Sequence, residues 1–153
     1  MSLTKLLAKP LVLGLTCLAF LSGCTAKDEA TQIDEQIKRF HTLYNQEQYD
    51  KMYTTLAHTE YRQNVSVDKH QLLFASIQKI MGPFEYAEVT QSQKILQNDR
   101  TIVTVTLKSH FAKGEATETL SYLPEEAYQL LIYHLNSDEM NRLDEETYQK
   151  LAN

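Results

Sequence analysis

Thr101-Ile102-Val103-Thr104-Val105-Thr106-Leu107-Lys108-Ser109-His110-Phe111 alternates apolar and polar residues with a period of two. That period is the mark of a strand with one face buried: Val103, Val105, Leu107 and Phe111 point one way, Thr104, Thr106, Lys108 and His110 the other. Residues 84–96, 116–123 and 127–135 share its richness in Val, Ile, Thr and Tyr. The separators Gln97-Asn98-Asp99-Arg100, Ala112-Lys113-Gly114-Glu115 and Pro124-Glu125-Glu126 are too short for crossover helices. The four strands must therefore follow one another as antiparallel hairpins.

Upstream of Pro83 the period is helical. Ile33, Ile37, Phe40, His41 and Tyr44 collect on one face, and the stripe breaks at Asn45. Tyr49, Met52, Tyr53 and Leu56 mark a second, shorter helix, and residues 59–65 read as a loop. Ser66 is placed to cap a third helix with Asp68 in its first turn and Leu72, Leu73, Ile77 and Ile80 as its apolar side. Gly82-Pro83 stops it. Helices first and a meander afterwards define an α+β domain, with N-terminal helices packed on a curved antiparallel sheet over residues 33–137. The acidic tail, residues 138–153, carries Leu143, Tyr148 and Leu151, which allow a short terminal helix.

This order of elements resembles the nuclear-transport-factor-2-like superfamily, a cone-shaped fold of the cystatin/ketosteroid-isomerase kind shared with scytalone dehydratase. The likeness lies in Phe40 to Tyr44, in Tyr49-Asp50-Lys51-Met52-Tyr53 leading to Leu56, in the helix ending at Gly82, and in Tyr128-Gln129-Leu130-Leu131-Ile132-Tyr133. It is closest to small secreted bacterial domains of unknown function. The chain has no Trp for the aromatic that often opens the last strand, and no position matches the acid, base or oxyanion residues of the enzymatic members. The resemblance implies a fold, a pocket and a homodimer through the sheet, not an activity.

The first residues give an address. Lys5 and Lys9 precede an apolar run from Leu11 to Leu21 that is too short to span a bilayer, which needs roughly 20 residues. Leu21-Ser22-Gly23-Cys24 closes it and resembles the lipobox of bacterial lipoproteins. That resemblance implies a signal peptide over residues 1–23, cleavage between Gly23 and Cys24, and acyl chains on the Cys24 thiol. Several chains on one residue hold stably where a single chain holds reversibly. Residues 24–32 then form the lipidated cysteine and a polar tether. Thr25, in place of an aspartate, resembles the Gram-negative pattern for the outer membrane, facing the periplasm; in a Gram-positive host the anchor is the plasma membrane. Cys17 lies in the apolar run and no third cysteine exists, so no disulfide framework can form.

Removing residues 1–23 takes away two lysines and no acid, which leaves 13 basic against 20 acidic side chains and a formal charge of −7. Such a surface repels nucleic acid. The histidines at 41, 58, 70, 110 and 134 include no i, i+4 pair, and the sequence calls for no metal and no cofactor. Tyr44, Tyr53, Tyr122 and Tyr133 stand at amphipathic positions where a hydroxyl can face a pocket. His134 alternates with Tyr128, Leu130 and Ile132, as a partly buried imidazole satisfied by backbone or water or as a pocket residue. Glu118 shares a face with Ala116, Leu120 and Tyr122; it reads as solvated, since an unpaired Glu is rarely buried, and as a pocket carboxylate with a raised pKa otherwise.

The expected function is a non-enzymatic envelope lipoprotein whose domain binds another envelope protein or a small apolar ligand. Two alternatives stand beside it. One is an isomerase-like or hydrolase-like enzyme pairing His134 with Glu118, and the other is a protective, immunity-like lipoprotein.

Overall fold

The computed structural model describes residues 28–142. The lipobox, residues 25–27 of the tether, and Leu143, Tyr148 and Leu151 of the tail lie outside the described residues. Four helices precede four strands: α1 (Glu29–Asn45), α2 (Tyr49–Thr55), α3 (Thr59–Asn64), α4 (Val67–Met81), β1 (Phe84–Gln97), β2 (Arg100–Phe111), β3 (Gly114–Leu123) and β4 (Gln129–Asn136). The strands form one antiparallel sheet in the order β1-β2-β3-β4.

Helix α1 begins four residues before the first apolar position of its stripe. Asp28 caps it, its Oδ1 accepting the Thr31 N–H at 2.8 Å. The expected tether of residues 25–32 is thus shorter, since a polar first turn adds no hydrophobic period and a capping aspartate outweighs that. Ser66 caps α4 as expected. Gly82 ends α4 at φ +79°, a left-handed conformation that a glycine adopts without steric cost. The Tyr44 hydroxyl then donates to the Gly82 carbonyl at 2.8 Å and ties α1 to that corner.

Two helical expectations need correction. Residues 59–65 are not a loop: six of them form α3, and its cap is an imidazole, His58 Nδ1 accepting the Glu60 N–H at 3.2 Å while Nε2 meets Glu126 at 2.8 Å. In α4 the inward face is rotated. His70, Phe74, Ile77 and Met81 are buried, whereas Leu72 is 69% exposed and Leu73 lies near the surface. Burying the larger Phe74 ring is worth more than burying Leu72, and the Tyr61 hydroxyl at 2.9 Å from His70 Nδ1 makes the polar member of that face tolerable.

The core lies between the helices and one face of the sheet. Phe40, Tyr44, Met52, Phe74 and Ile77 meet Val103, Val105, Leu107, Leu120 and Leu130 there. The β1–β2 hairpin turns on Asn98 and Asp99, both with positive φ, the two-residue geometry that matches strand twist. Strand β1 is exposed along most of its length, including Tyr86, Val89, Ile95 and Leu96. At the opposite edge Leu130 exchanges hydrogen bonds of 2.8 Å with Leu56 and His58, so the α2–α3 link joins β4 in parallel.

Strand β4 holds the third correction. Tyr122 pairs with Leu130 and Ser121 with Ile132, which leaves Leu131 as an extra residue. Such a bulge reverses the faces beyond it. Ile132 and His134 are exposed, and Tyr133 turns toward the helices instead. After β4, residues 138–142 are helical and Ser137 Oγ accepts the Met140 N–H at 3.1 Å, so the folded unit runs past residue 137.

Candidate functional site

Three polar residues sit in the middle of apolar faces and meet in the core. Glu118 of β3 is 1% exposed and His41 of α1 is 3% exposed. His41 Nε2 lies 2.9 Å from Glu118 Oε2 and Nδ1 lies 3.0 Å from the Ile37 carbonyl. The Tyr133 hydroxyl donates to Glu118 Oε1 at 2.7 Å, and the Ser109 hydroxyl of β2 donates to Oε2. Phe84 stacks on the imidazole with ring centroids 3.6 Å apart.

The Ile37 carbonyl can only accept, so Nδ1 carries hydrogen, and Nε2 faces a carboxyl oxygen that also takes the Ser109 hydroxyl proton. The arrangement is a buried imidazole–carboxyl pair. Burial is the largest single influence on Glu118 and pushes its pKa up, but the His41 charge and the His41, Ser109 and Tyr133 hydrogen bonds together outweigh it and hold it below the usual value of 4.5. The solvated reading of Glu118 therefore fails: Ser109 of the neighbouring strand and His41, 77 residues earlier, satisfy a carboxyl group on the inner face.

His134 takes no part. It pairs with Thr119 whereas Glu118 pairs with Leu135, and cross-strand neighbours share a face, so His134 and Glu118 lie on opposite faces of the sheet. The expected His134–Glu118 acid–base pair does not form. Tyr44 is committed to the Gly82 carbonyl, and the Tyr53 hydroxyl is shared between the Val65 and Arg62 carbonyls at 2.9 and 3.2 Å. The Tyr122 hydroxyl is sealed in the core without a partner among the described residues. Of the six pocket candidates, Tyr133 alone borders the principal cleft.

That cleft has a volume of about 520 Å³ and runs between α3, the β1–β2 hairpin and the start of β4. Ile102, Leu131, Ile132 and Tyr133 supply apolar walls, and Gln97 and Asn98 supply amides. Arg100 makes a two-pronged ion pair with Glu60, the second contact at 3.2 Å, so the charges at this site are matched. Tyr133 thus joins the cleft to the buried pair. The sequence signals that could have found this arrangement were His41 inside an apolar helical stripe and Ser109 and Glu118 inside apolar strand faces. No signal announced the cleft, because α3 and the bulge at Leu131 form its sides.

Among the described residues no group of three or more His, Cys, Asp or Glu side chains is placed to hold a metal ion. No helix among them is long and apolar enough to cross a membrane. No family model, curated protein or solved structure matches the chain.

The buried groups make stability depend on acid in two steps. Burial pushes the His70 pKa down to about 4, against weaker upward pulls from the Tyr49 backbone and Asp50. A depressed folded value means that the unfolded chain takes the proton first, so His70 costs up to about 3 kcal/mol as pH falls from 6.5 to 4. Glu118, also depressed, adds its loss below about pH 4.5. Urea midpoints recorded from pH 8 to 3 should fall through both windows. His70→Phe should flatten the upper one, and an unchanged slope in that variant would show that His70 is not the group responsible.

Proposed function

We propose that this chain is a non-enzymatic envelope lipoprotein, anchored through acyl chains on Cys24, whose α+β domain binds a small apolar ligand bearing a neutral hydrogen-bonding group. The cleft carries this reading: apolar walls, free amides on Gln97 and Asn98, and charges already paired with one another. Support for a non-catalytic role comes from the His41–Glu118 pair, which is closed to solvent and saturated by its own hydrogen bonds. General acid–base chemistry needs such groups within reach of a substrate. The lipobox supports the anchor, and Thr25 the outer membrane facing the periplasm in a Gram-negative host. Helices followed by an antiparallel meander are compatible with a cone of the nuclear-transport-factor-2-like kind.

The test is a Cys24→Ala variant exported from the same host. It is expected to leave the membrane fraction, and the released protein, purified gently, should carry a reproducible small-mass adduct in native mass spectra. Retention in the membrane would refute the anchor. A bare protein would refute the ligand and point to an envelope protein as the partner, to be sought by crosslinking in intact cells.

A further inference from the structure

The end of the domain from which the lipidated cysteine would emerge also displays its most exposed large apolar side chain. The Glu29 carboxylate in the first turn of α1 forms an ion pair with Lys94 of β1. Ile95 and Leu96 follow Lys94 directly, 49% and 75% exposed, and lead into the Asn98-Asp99 turn. A strand advances about 3.3 Å per residue, so Leu96 lies roughly 7 Å along the strand from that ion pair. Four residues, 25–28, separate Cys24 from Glu29, and the five steps between them, fully extended, reach at most about 18 Å. A cysteine held at the headgroup level by its acyl chains must therefore keep this end of the domain against the bilayer.

We propose that Ile95 and Leu96 rest in the membrane surface, so that the β1–β2 hairpin is a second, non-covalent contact beside the lipid. This rests on lipidation of Cys24. The charges nearby suit a zwitterionic headgroup layer: Lys94 is neutralised by Glu29 and Arg100 by Glu60, while Glu125 accepts the Thr101 N–H. Among the described residues no basic cluster is present at this end to seek anionic lipid. Two contacts fix an orientation where a short tether alone would let the domain swivel. Since Gln97 and Asn98 belong both to the hairpin and to the cleft, the cleft is held beside the membrane, where an apolar ligand is most concentrated.

The experiment uses the full-length lipidated protein in phosphatidylcholine vesicles. Acylation consumes the Cys24 thiol, so Leu96→Cys offers one site for a nitroxide label. Leu72→Cys is the comparison site: Leu72 is exposed and shares a groove with Tyr49 and Asp50, beyond the far end of α1, a helix about 25 Å long. The label at 96 should lose access to a water-soluble nickel chelate severalfold relative to the label at 72 and gain access to oxygen. The difference should vanish in unlipidated Cys24→Ala protein free in solution. Equal chelate access at 96 and 72, in protein whose mass shows lipid on Cys24, would overturn the membrane contact and leave the anchor standing. A mass without lipid would remove both.

Discussion

Glu118→Ala is expected to cost the domain about 3–5 kcal/mol and to lower its Tm by about 10–20 °C. The substitution removes one partner of a buried hydrogen-bonded pair and leaves the other behind. His41 Nε2 and the Ser109 and Tyr133 hydroxyls would face a hole with no acceptor. Replacing both partners with apolar residues of similar volume, Glu118→Leu with His41→Phe, should cost much less than the sum of the single changes, because the imidazole is no longer orphaned. Urea unfolding of the two singles and the double measures that coupling. A Glu118→Ala loss below about 1 kcal/mol, the range of an exposed pair, would mean that the pair contributes nothing to folding.

The second large effect belongs to Phe74. Its ring is fully buried, with Phe40 and Tyr133 centroids 5.6 and 5.0 Å away and His70 at 4.6 Å. Phe74→Ala should destabilise by about 3–5 kcal/mol through lost burial and the cavity left among rigid rings. Leu72→Ala, two residues earlier on the same helix, should stay within about 0.5 kcal/mol. Comparable losses at the two positions would mean that α4 does not present the face described. The contrast is sharp because the simplest apolar stripe for this helix chooses Leu72.

That stripe shows where sequence reading stops. Strand β2 was legible, since Val103, Val105, Leu107 and Phe111 share one face with only Ser109 between them, and the interior receives all four. The order of the strands was equally plain, because short separators and Gly82-Pro83 are local signals. Helix α4 kept its ends but not its face: choosing between Leu72 and Phe74 needs the layer opposite, and His70 counts as polar until Tyr61 is brought to it. Helix α3 was hidden by a histidine cap. In β4 one unpaired residue, Leu131, moved Tyr133 inward and His134 outward, and nothing in a run of apolar residues marks where such an insertion falls. The residues that share a face with Glu118 could be read, but not whether that face is buried, because Thr117, Thr119 and Ser121 leave both faces open and the His41 partner stands 77 residues earlier in the chain.

That separation also bears on how the chain matures. The helices come first, yet their apolar sides can be covered only by strands made last, and β4 supplies Tyr133, Leu130 and the bonds that hold the α2–α3 link. Contacts between distant parts of a chain form slowly, after the costly closing of large loops. A growing polypeptide of this design lacks the covering strands of its helices until β4 has been made. On the export route proposed above, delayed closure keeps the chain pliant long enough to pass a membrane.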